Sequence, residues 1–445
     1  MQIEMPKEVN IILNILDYYK YEGYIVGGCV RDSILGRNPN DWDICTNCTP
    51  HRVMEIFSRF KVIPTGLKHG TVTVVIDDKH FEITTYRVEK EYIDGRRPKE
   101  VKFTSSLKAD LKRRDFTINA MAYNLQNGLI DYYGGIRDIA DKKIKCVGDP
   151  FERFSEDYLR MLRAVRFCAQ LDYNLDVQAF KAIKNLSKNI VNISSERVRE
   201  ELNKILLSDN PAKGLELLNE TNLLKFIIPE LQRCVDFEQK NPYHDKDVFM
   251  HTLCVLENTE KDLVLRLAAL LHDIGKPQCF SVDKRNIGHF YKHHLKGKDI
   301  TEDILKKLKY DNKTIESVKI LVKEHMSKFN NVTPKGVKRL INRVGAENID
   351  RLFKLQIADI LGSKPPHDFS NIQNAKELCE KVLNEKQPMT IKDLDINGYD
   401  LIELGIPPGK EIGIILNKLL DIVLDNPILN KKEVLIEKAG KLYKK

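Results

Sequence analysis

The pattern of apolar residues changes about a third of the way along the 445-residue chain. An amphipathic helix is predicted over residues 7–19, and short β-rich runs separated by Gly, Asn and Asp follow it. These runs cover residues 24–26, 42–44, 71–76 and 81–85. From residue 151 onward the apolar period becomes helical, as in 196–207, 212–219 and 262–273. The pattern predicts an α+β fold with its strands in the first 145 residues and helices in the rest.

Composition narrows the class of protein. Hydrophobic residues make up 42% and charged residues 31% of the chain, a balance typical of globular proteins. We expect no membrane partner, because no run approaches the roughly 18 uncharged apolar residues of a membrane span. The N-terminus lacks the apolar core of an export signal, and the nine cysteines are irregularly spaced, which favours a reduced, cytoplasmic protein.

The net charge of +8 is unevenly distributed. Residues 301–445 carry 26 basic and 21 acidic side chains, which is five of the eight excess positive charges. A positive excess permits a nucleic-acid partner without requiring one, because phosphate neutralisation occurs at particular patches.

Two glycines follow the first predicted strand. Gly27 and Gly28 would let backbone N–H groups approach a phosphate, and Arg31 would add positive charge for a triphosphate. A plain tight turn explains the two glycines equally well.

A pair of carboxylates lies nine residues after Asp32. Asp41 and Asp43 are alternate residues of a predicted strand, so both side chains are expected on one face. Two inward acids in an apolar strand repel each other unless a cation binds, and Mg²⁺ prefers carboxylate oxygens. Glu82, on a later predicted strand, is the candidate third carboxylate.

These motifs together resemble the head of class II tRNA nucleotidyltransferases, a family that includes CCA-adding enzymes and bacterial poly(A) polymerases. The resemblance is carried by Gly27, Gly28, Arg31, Asp32, Gly36, Arg37, Asp41 and Asp43, by Arg96, Arg97 and Pro98, by residues 110–120, by Asp131, Gly134 and Gly135, and by residues 149–163. It implies a small mixed-sheet, polymerase beta-like head, followed by an all-helical neck.

The resemblance also implies a role for each matching residue. Asp41 and Asp43 look like the catalytic pair that holds Mg²⁺, with Glu82 assisting. The residues that look like nucleotide contacts are Gly27, Gly28, Arg31, Arg113, Arg114, Asp115 and Arg163. Asp157 and Arg160 look like the pair that selects the base. A carboxylate accepts from the exocyclic amine of C or A, where G and U present a carbonyl, and a guanidinium donates to ring acceptors.

A second group of residues resembles the HD superfamily of metal-dependent phosphohydrolases. The matching residues are His251, His272, Asp273 and Asp359, with His294 and His325 as accessory positions. A set of this kind would hold Mg²⁺ or a divalent transition metal. An isolated His-Asp pair is more often structural, so the ordered set is what favours a metal site.

The predicted domains are a head over 1–145, a helical neck over 146–228, an HD domain over 229–370 and a helical tail over 371–445 that contacts tRNA. The main hypothesis is template-independent addition of C and A to the 3′ end of tRNA, from CTP and ATP. An enzyme that adds only A, including a poly(A) polymerase, stays open. The alternatives from other classes are an HD phosphohydrolase as the main activity and a pure RNA-binding protein. The complete head motifs disfavour the first, and the two intact sets of metal ligands disfavour the second.

Overall fold

The structure is a computed structural model that describes residues 2–93, 97–240, 245–330, 332–385 and 388–443. Arg96, which belongs to the Arg96-Arg97-Pro98 motif, lies outside these residues. The chain divides into two compact units, Met1–Pro229 and Glu230–Lys445. The finer division into head, neck, HD domain and tail stays a prediction.

A seven-stranded mixed sheet organises the first unit. The strands of this unit are β1 (Gly23–Val26), β2 (Ile44–Thr46), β3 (Lys61–Gly66), β4 (Thr71–Ile76), β5 (Lys79–Thr85), β6 (Arg87–Ile93), β7 (Arg97–Phe103), β8 (Met121–Asn124), β9 (Gly128–Asp131), β10 (Lys143–Ile144) and β11 (Asn174–Leu175). The order of strands in the sheet is β3-β4-β5-β2-β1-β8-β9. β2 and β5 run parallel, and the other neighbours are antiparallel. β6 pairs with β7, and β10 with β11, outside this sheet.

Burial in the β4–β5 hairpin follows the side-chain alternation most clearly in β5. Phe81 and Ile83 of β5 are buried and Glu82 between them is exposed, whereas β4 is buried continuously from Val72 to Val74. Because alternate side chains of a strand share a face, this pattern fixes the register against the core. The predicted strands 71–76 and 81–85 are therefore close to those observed.

Helices surround this sheet and continue beyond it to residue 227. They are α1 (Lys7–Tyr18), α2 (Gly28–Ile34), α3 (Pro50–Ile56), α4 (Leu107–Lys112), α5 (Gly135–Ala140), α6 (Pro150–Glu156), α7 (Leu159–Leu171), α8 (Val177–Leu186), α9 (Ser195–Leu206), α10 (Pro211–Glu220) and α11 (Leu224–Ile227). α7 is buried on nearly all sides, so its polar residues have fixed surroundings. α6 begins sharply because the Asp149 side chain accepts from the N–H of Glu152 and Pro150 takes the first helical position.

The second unit is almost entirely helical, with one short hairpin. Its elements are α12 (Pro229–Gln232), α13 (Val248–Glu257), α14 (Leu263–Leu271), β12 (Phe280–Val282), β13 (Gly288–Phe290), α15 (His293–Lys307), α16 (Asn312–Glu324), α17 (Pro334–Val344), α18 (Ala346–Gly362), α19 (Ser370–Asn384), α20 (Gly398–Glu403), α21 (Lys410–Asp425) and α22 (Lys432–Tyr443). Aspartate side chains cap α13, α14 and α16 by accepting from the third backbone N–H of each helix.

The last three helices have a core of their own. Leu401 of α20, Leu419 and Val423 of α21 and Leu435 of α22 are fully buried in one cluster. Among the described residues, none of the helices combines the length and apolar character that crossing a lipid bilayer requires.

Candidate functional site

A cavity of about 530 Å³ in the first unit gathers the predicted motifs. The predicted residues that line it are Gly27, Gly28, Arg31, Asp41, Asp43, Arg114, Asp115 and Arg163. Further lining residues to which the sequence reasoning gave no role include Asn119, Arg166, Phe167, Gln170 and Lys204. A glycine turn, carboxylates and guanidinium groups thus face one space, the combination that suits a phosphorylated ligand and its cation.

The glycine turn lies between β1 and α2. Gly27 has a φ of 83°, a left-handed conformation that glycine adopts without a steric penalty. A Cβ at Gly27 would lie 3.1 Å from Nη1 of Arg114. The turn therefore brings bare backbone beside a charged side chain of the cavity.

Asp41 and Asp43 lie in the loop just before β2, whereas the sequence predicted them inside a strand. The strand begins only at Ile44. The carbonyl of Asp43 still accepts from the N–H of Val26 at 3.0 Å, which ties the loop to β1. Both carboxylates reach the cavity from this tethered loop.

Glu82 lies on β5, which pairs in parallel with β2. Desolvation raises the pKa of Glu82, and the charges of Asp43 and Asp41 add to the shift. Desolvation also raises the pKa of Asp43, where Asp41 adds to the shift and Arg114 opposes it. The three acids therefore repel one another, and a divalent cation among them would relieve that repulsion.

Arg113 and Arg114 both contact the buried carboxylate of Asp110, but the rest of their surroundings differ. Arg113 lies 2.9 Å from Oδ1 of Asp110 and 3.3 Å from Glu89, while Arg114 lies 3.5 Å from Oδ2 of Asp110. Only Arg114 of the two lines the cavity. The structure thus gives Arg113 contacts to the protein framework and Arg114 a position at the ligand space.

Asp115 joins the segment after α4 to helix α7. Its Oδ2 accepts from Nε and Nη2 of Arg163 at 2.8 and 2.5 Å, and its Oδ1 accepts from Nδ2 of Asn119 at 3.2 Å. Burial alone would raise the pKa of Asp115, but the ion pair with Arg163 outweighs it and holds that pKa well below its usual range. Asp115 is therefore an ionised anchor for the cavity wall.

Arg31 is engaged by the protein at all three nitrogens. Nε and Nη2 each donate to Asp32 at 2.9 Å, and Nη1 donates to Oδ1 of Asn119 at 2.6 Å. Asn119 thereby connects Arg31 to Asp115. The sequence placed Asn119 within a family motif, but its bridging contacts depend on the tertiary fold.

Asp157 and Arg160 flank the junction of α6 and α7, and each pairs with a different residue. Oδ2 of Asp157 lies 3.1 Å from Nη2 of Arg197 on α9, and its Oδ1 accepts from the N–H of Leu159 at 3.0 Å. Nη1 of Arg160 donates to Glu156 at 2.5 Å. The expected base-selecting pair is therefore held by these separate partners.

A histidine–aspartate cluster in the second unit joins α13, the end of α14, and α18. Nε2 of His251 lies 2.9 Å from Oδ1 of Asp359 and 3.6 Å from Oδ2 of Asp273. Nε2 of His272 lies 3.2 Å from the same Oδ2. The four residues that the HD resemblance indicates are thus brought together.

A second group of ligand atoms shares Asp273 with the first. Nε2 of His293 lies 3.3 Å from Oδ1 of Asp273 and 3.2 Å from Nε2 of His325. The sequence reasoning chose His294 instead of His293, and here the structure differs. α15 begins at His293, and neighbouring residues of a helix point in different directions. His294 lines the adjoining cavity, with its ring centroid 6.5 Å from that of His325.

The hydrogen bonds of the four histidines direct Nε2 of each ring into the cluster. Nδ1 of each ring lies within hydrogen-bond distance of a backbone carbonyl oxygen. The pairs are His251 with Gly362 (3.3 Å), His272 with Ala269 (2.8 Å), His293 with Phe290 (2.8 Å) and His325 with Val322 (2.7 Å). In the neutral form of each ring, this network places the proton on Nδ1 and leaves the Nε2 lone pairs converging. Two pairs of Nε2 atoms are only 3.4 and 3.2 Å apart, so a bound cation would relieve their repulsion.

Charges within the cluster oppose the cost of burying Asp273. Nζ of Lys276 lies 2.6 Å from Oδ2 of Asp273 and donates to Gln239 at 2.7 Å. Burial would raise the pKa of Asp273, but His272 and Lys276 outweigh it and hold that pKa well below its usual range. Burial, reinforced by the charge of His272, lowers the pKa of His325 to about 3, so His325 is neutral at physiological pH.

The turn after α14 packs tightly against α15. A Cβ at Gly275 would lie 2.2 Å from the carbonyl oxygen of His293 and 2.7 Å from the backbone nitrogen of Gly297. Only glycine permits this approach, which keeps Asp273 close to His293.

Known proteins resemble the chain along nearly its whole length. It is 36% identical over 444 residues to a CCA-adding enzyme of Ligilactobacillus salivarius, covering 98% of each chain. The chain belongs to the family of CCA-adding enzymes. It is also 32% identical to a CCA-adding enzyme of Pediococcus pentosaceus, covering 99% of this chain and 100% of that protein. The family named by the sequence motifs is therefore confirmed.

Domain and fold comparisons agree with this membership. Residues 23–145 match the poly A polymerase head domain, and residues 290–439 match tRNA nucleotidyltransferase domain 2. Residues 172–234 match a family described as the "probable RNA and SrmB-binding site of polymerase A". The crystal structure of a Bacillus stearothermophilus CCA-adding enzyme in complex with CTP has a TM-score of 0.76 and 27% identity, and the match covers 99% of this chain and 98% of that one. The α+β fold class is confirmed, and the HD domain stays a prediction.

Proposed function

We propose that this chain adds C and A to the 3′ end of tRNA, using CTP and ATP. The observation that carries the proposal is the single cavity that gathers a glycine turn, two carboxylates and several guanidinium groups, in a member of the CCA-adding family. The terminal 3′-hydroxyl of the RNA attacks the α-phosphorus. A new O–P bond forms, the bond to the β-phosphate oxygen breaks, and pyrophosphate leaves.

Asp41 and Asp43 are the residues that would hold Mg²⁺, with Glu82 beside them on β5. The donor set fits the ion, because it is made of carboxylate oxygens, and the pKa of Asp43 and of Glu82 is raised by desolvation first and by the neighbouring acids in addition. When bound, the ion supplies positive charge that activates the hydroxyl and offsets the negative charge of the transferring phosphate. Arg114, beside Gly27, adds a fixed positive charge to the same space.

Base selection is assigned to Asp157 and Arg160. A carboxylate has about four lone-pair positions, and Asp157 uses two of them for Arg197 and the N–H of Leu159. The remaining lone pairs are available to accept from the exocyclic amine of C or A. Arg197 is then a positioning residue that sets the direction of the Asp157 carboxylate.

Replacing Arg197 by glutamine is expected to lower kcat/KM for CTP and ATP about tenfold and to weaken their preference over UTP and GTP. The reason is that Asp157 loses a charged hydrogen bond and its fixed direction. Incorporation of each nucleotide into tRNA measures both effects. Lys213→Gln, which breaks an exposed ion pair with Asp172 in the same unit, is the matched control. Unchanged discrimination in Arg197→Gln would contradict the positioning role.

The RNA partner is tRNA, and we assign much of its backbone contact to the second unit. Residues 301–445 carry most of the positive excess, and phosphate neutralisation by lysine and arginine drives such binding. A-form RNA offers little base information to side chains, so shape and backbone are read instead. In the proposed division into head, neck, HD domain and tail, the tail is residues 371–445. We also assign the protein to the cytoplasm.

One assay tests the proposed function directly. Purified protein is incubated with tRNA lacking one, two or three terminal nucleotides, together with labelled CTP or ATP. The expected result is two C additions and one A addition, after which extension stops. Unlimited addition of A identifies a poly(A) polymerase, and addition of A without C identifies an A-adding enzyme. Either result refutes CCA addition by this chain.

The histidine cluster supports a second candidate function, metal-dependent hydrolysis of a phosphate ester. The specific observation is the convergence of four Nε2 atoms and two carboxylates at short distances. His251, His272, Asp273 and Asp359, with His293 and His325, are the residues that would hold Mg²⁺ or a transition metal. The adjoining cavity of about 640 Å³ is lined by Lys276, Lys292 and Lys328, whose charges suit a phosphate group.

A further inference from the structure

Asn119 lies between two oppositely charged side chains in the wall of the nucleotide cavity. It lines the cavity and is only 6% exposed. Its Oδ1 accepts from Nη1 of Arg31 at 2.6 Å, and its Nδ2 donates to Oδ1 of Asp115 at 3.2 Å. The amide therefore satisfies a cation with its oxygen and an anion with its nitrogen.

These contacts belong to a closed network of side chains. Asp115 accepts from Arg163 of α7 at 2.8 and 2.5 Å. The guanidinium carbons of Arg163 and Arg31 in turn lie 5.6 and 5.1 Å from the centroid of the Phe167 ring, within the range of a cation–π contact. Asn119 is the uncharged polar member that closes this network, so it can face both a guanidinium and a carboxylate without repelling either.

The backbone that carries Asn119 is held by contacts outside this network. It forms a short turn over Thr117–Asn119, and the hydroxyl of Thr117 donates to the buried Asp138 at 2.6 Å. A Cβ at Gly135 would lie 2.5 Å from the carbonyl oxygen of Thr117, so α5 packs directly against the turn. The amide is thus presented from a rigid support, which limits the entropy that is lost when it orders its two partners.

Other residue types of similar size cannot make both contacts. An aspartate would keep an acceptor for Arg31 but would repel the ionised Asp115, and a leucine would leave both partners without this bond. Nε and Nη2 of Arg31 donate to Asp32 at 2.9 Å, so the bond from Nη1 is the one that ties its guanidinium to Asp115. The direction of Arg31 and the hydrogen bonding of Asp115 therefore depend on the same amide.

We propose that Asn119 is a positioning residue for nucleotidyl transfer, which holds Arg31, the expected triphosphate contact, at a fixed place relative to Asp115. The inference rests on the proposed function, because it requires CTP and ATP to occupy this cavity. Through Asn119, the glycine-turn side of the cavity and helix α7 belong to one network. Binding of the triphosphate and placement of the nucleoside are thereby coupled.

The test compares Asn119→Leu with Asn119→Asp in the full chain. Equilibrium binding of CTP and ATP and inhibition by pyrophosphate are measured for each variant. Asn119→Leu is expected to weaken nucleotide binding and pyrophosphate inhibition about tenfold, because hydrogen bonds to two charged groups are lost. Asn119→Asp keeps the acceptor for Arg31, so pyrophosphate inhibition is expected to stay within about threefold of the wild type while nucleotide binding weakens about tenfold.

Asn124→Leu is the matched control for loss of a buried amide. Asn124 of β8 is also buried, donates to the carbonyl of Gly23 at 3.0 Å and accepts from the N–H of Asn127 at 2.7 Å, outside the nucleotide cavity. Asn124→Leu is expected to lower the unfolding temperature but to leave nucleotide and pyrophosphate affinity within about twofold of the wild type. Weakening as large as that in Asn119→Leu would identify general destabilisation as the cause and overturn the inference.

A double-mutant cycle tests whether Asn119 acts through Arg31. In an Arg31→Gln protein, the further change Asn119→Leu is expected to alter pyrophosphate inhibition less than about twofold, because the contact that Asn119 directs is already lost. Additive effects would overturn the inference, as would wild-type affinities in Asn119→Leu. If Asn119→Leu does not fold, Asn119→Ala removes the same two bonds in its place. A wild-type protein that neither binds nucleotide nor extends tRNA would refute the proposed function itself.

Discussion

Asp43→Asn is expected to lower the incorporation of both CTP and ATP into tRNA by at least about a thousandfold, since charge stabilisation by a bound cation contributes several kcal/mol to such a transition state. The substitution keeps the size of the side chain and removes its charge. It also removes the desolvation cost, which is the main reason that the pKa of Asp43 is raised, and the repulsion between Asp43 and Glu82, so the fold is expected to remain intact. Single-turnover extension of tRNA lacking its terminal nucleotides measures the effect.

A matched aspartate in the same unit provides the control. Asp77 lies in the turn between β4 and β5 and forms an exposed ion pair with Lys7, outside the cavity. Asp77→Asn removes the same charge and is expected to leave extension within about twofold of the wild type, because exposed ion pairs contribute little. If Asp43→Asn retained a tenth of the wild-type rate, Asp43 would not be a catalytic carboxylate.

Short local motifs were sufficient to predict much of the nucleotide cavity. Gly27, Asp41 and Asp43 lie within 17 positions of each other, and the glycine turn and carboxylate loop are both tied to β1. Their chemistry is therefore visible in a short stretch of sequence. The predicted strand boundary was wrong for Asp41 and Asp43. The carbonyl of Asp43 accepts a hydrogen bond from Val26 of β1, but the regular strand β2 begins only at Ile44.

Contacts between residues that are far apart in the sequence could not be predicted from such short motifs. Asn119 acquires its bridging position from Arg31, 88 residues away, and Arg197 meets Asp157 across 40 positions. Arg166 had a partial signal, since Arg160, Arg163 and Arg166 recur every three residues along a helix. That spacing indicates a shared face. It does not reveal that the face lines the cavity.

The sequence also could not show which of the neighbouring residues His293 and His294 belongs to the metal-ligand cluster. Both are histidines, and they differ by one position. The one that faces Asp273 is decided by where α15 begins and by the close packing of Gly275 against its first turn. Neither feature follows from residue type. The ordered set of histidines and aspartates predicted the cluster, but the helix start selected its members.

Asp273→Asn is expected to abolish divalent-metal binding at the histidine cluster while tRNA extension is retained. Asp273 is shared by both groups of candidate ligands: its Oδ2 faces His272 and its Oδ1 faces His293. One substitution therefore weakens both groups. Titration of the metal-free protein with Mn²⁺ or Ni²⁺ measures binding without relying on any hydrolytic activity.

Thermal unfolding gives an independent measure of the same site. A ligand at a hundred times its Kd stabilises the folded protein by about 2.7 kcal/mol. Mn²⁺ is therefore expected to raise the unfolding temperature of the wild type more than that of Asp273→Asn, which keeps only the proposed site at Asp41 and Asp43. Asp283→Asn is the control, because Asp283 also pairs with a histidine, His289, at 3.1 Å, but belongs to the β12–β13 hairpin. Equal metal binding by Asp273→Asn and the wild type would refute the metal site. Loss of tRNA extension together with metal binding would instead show that the cluster and the nucleotide cavity are not independent.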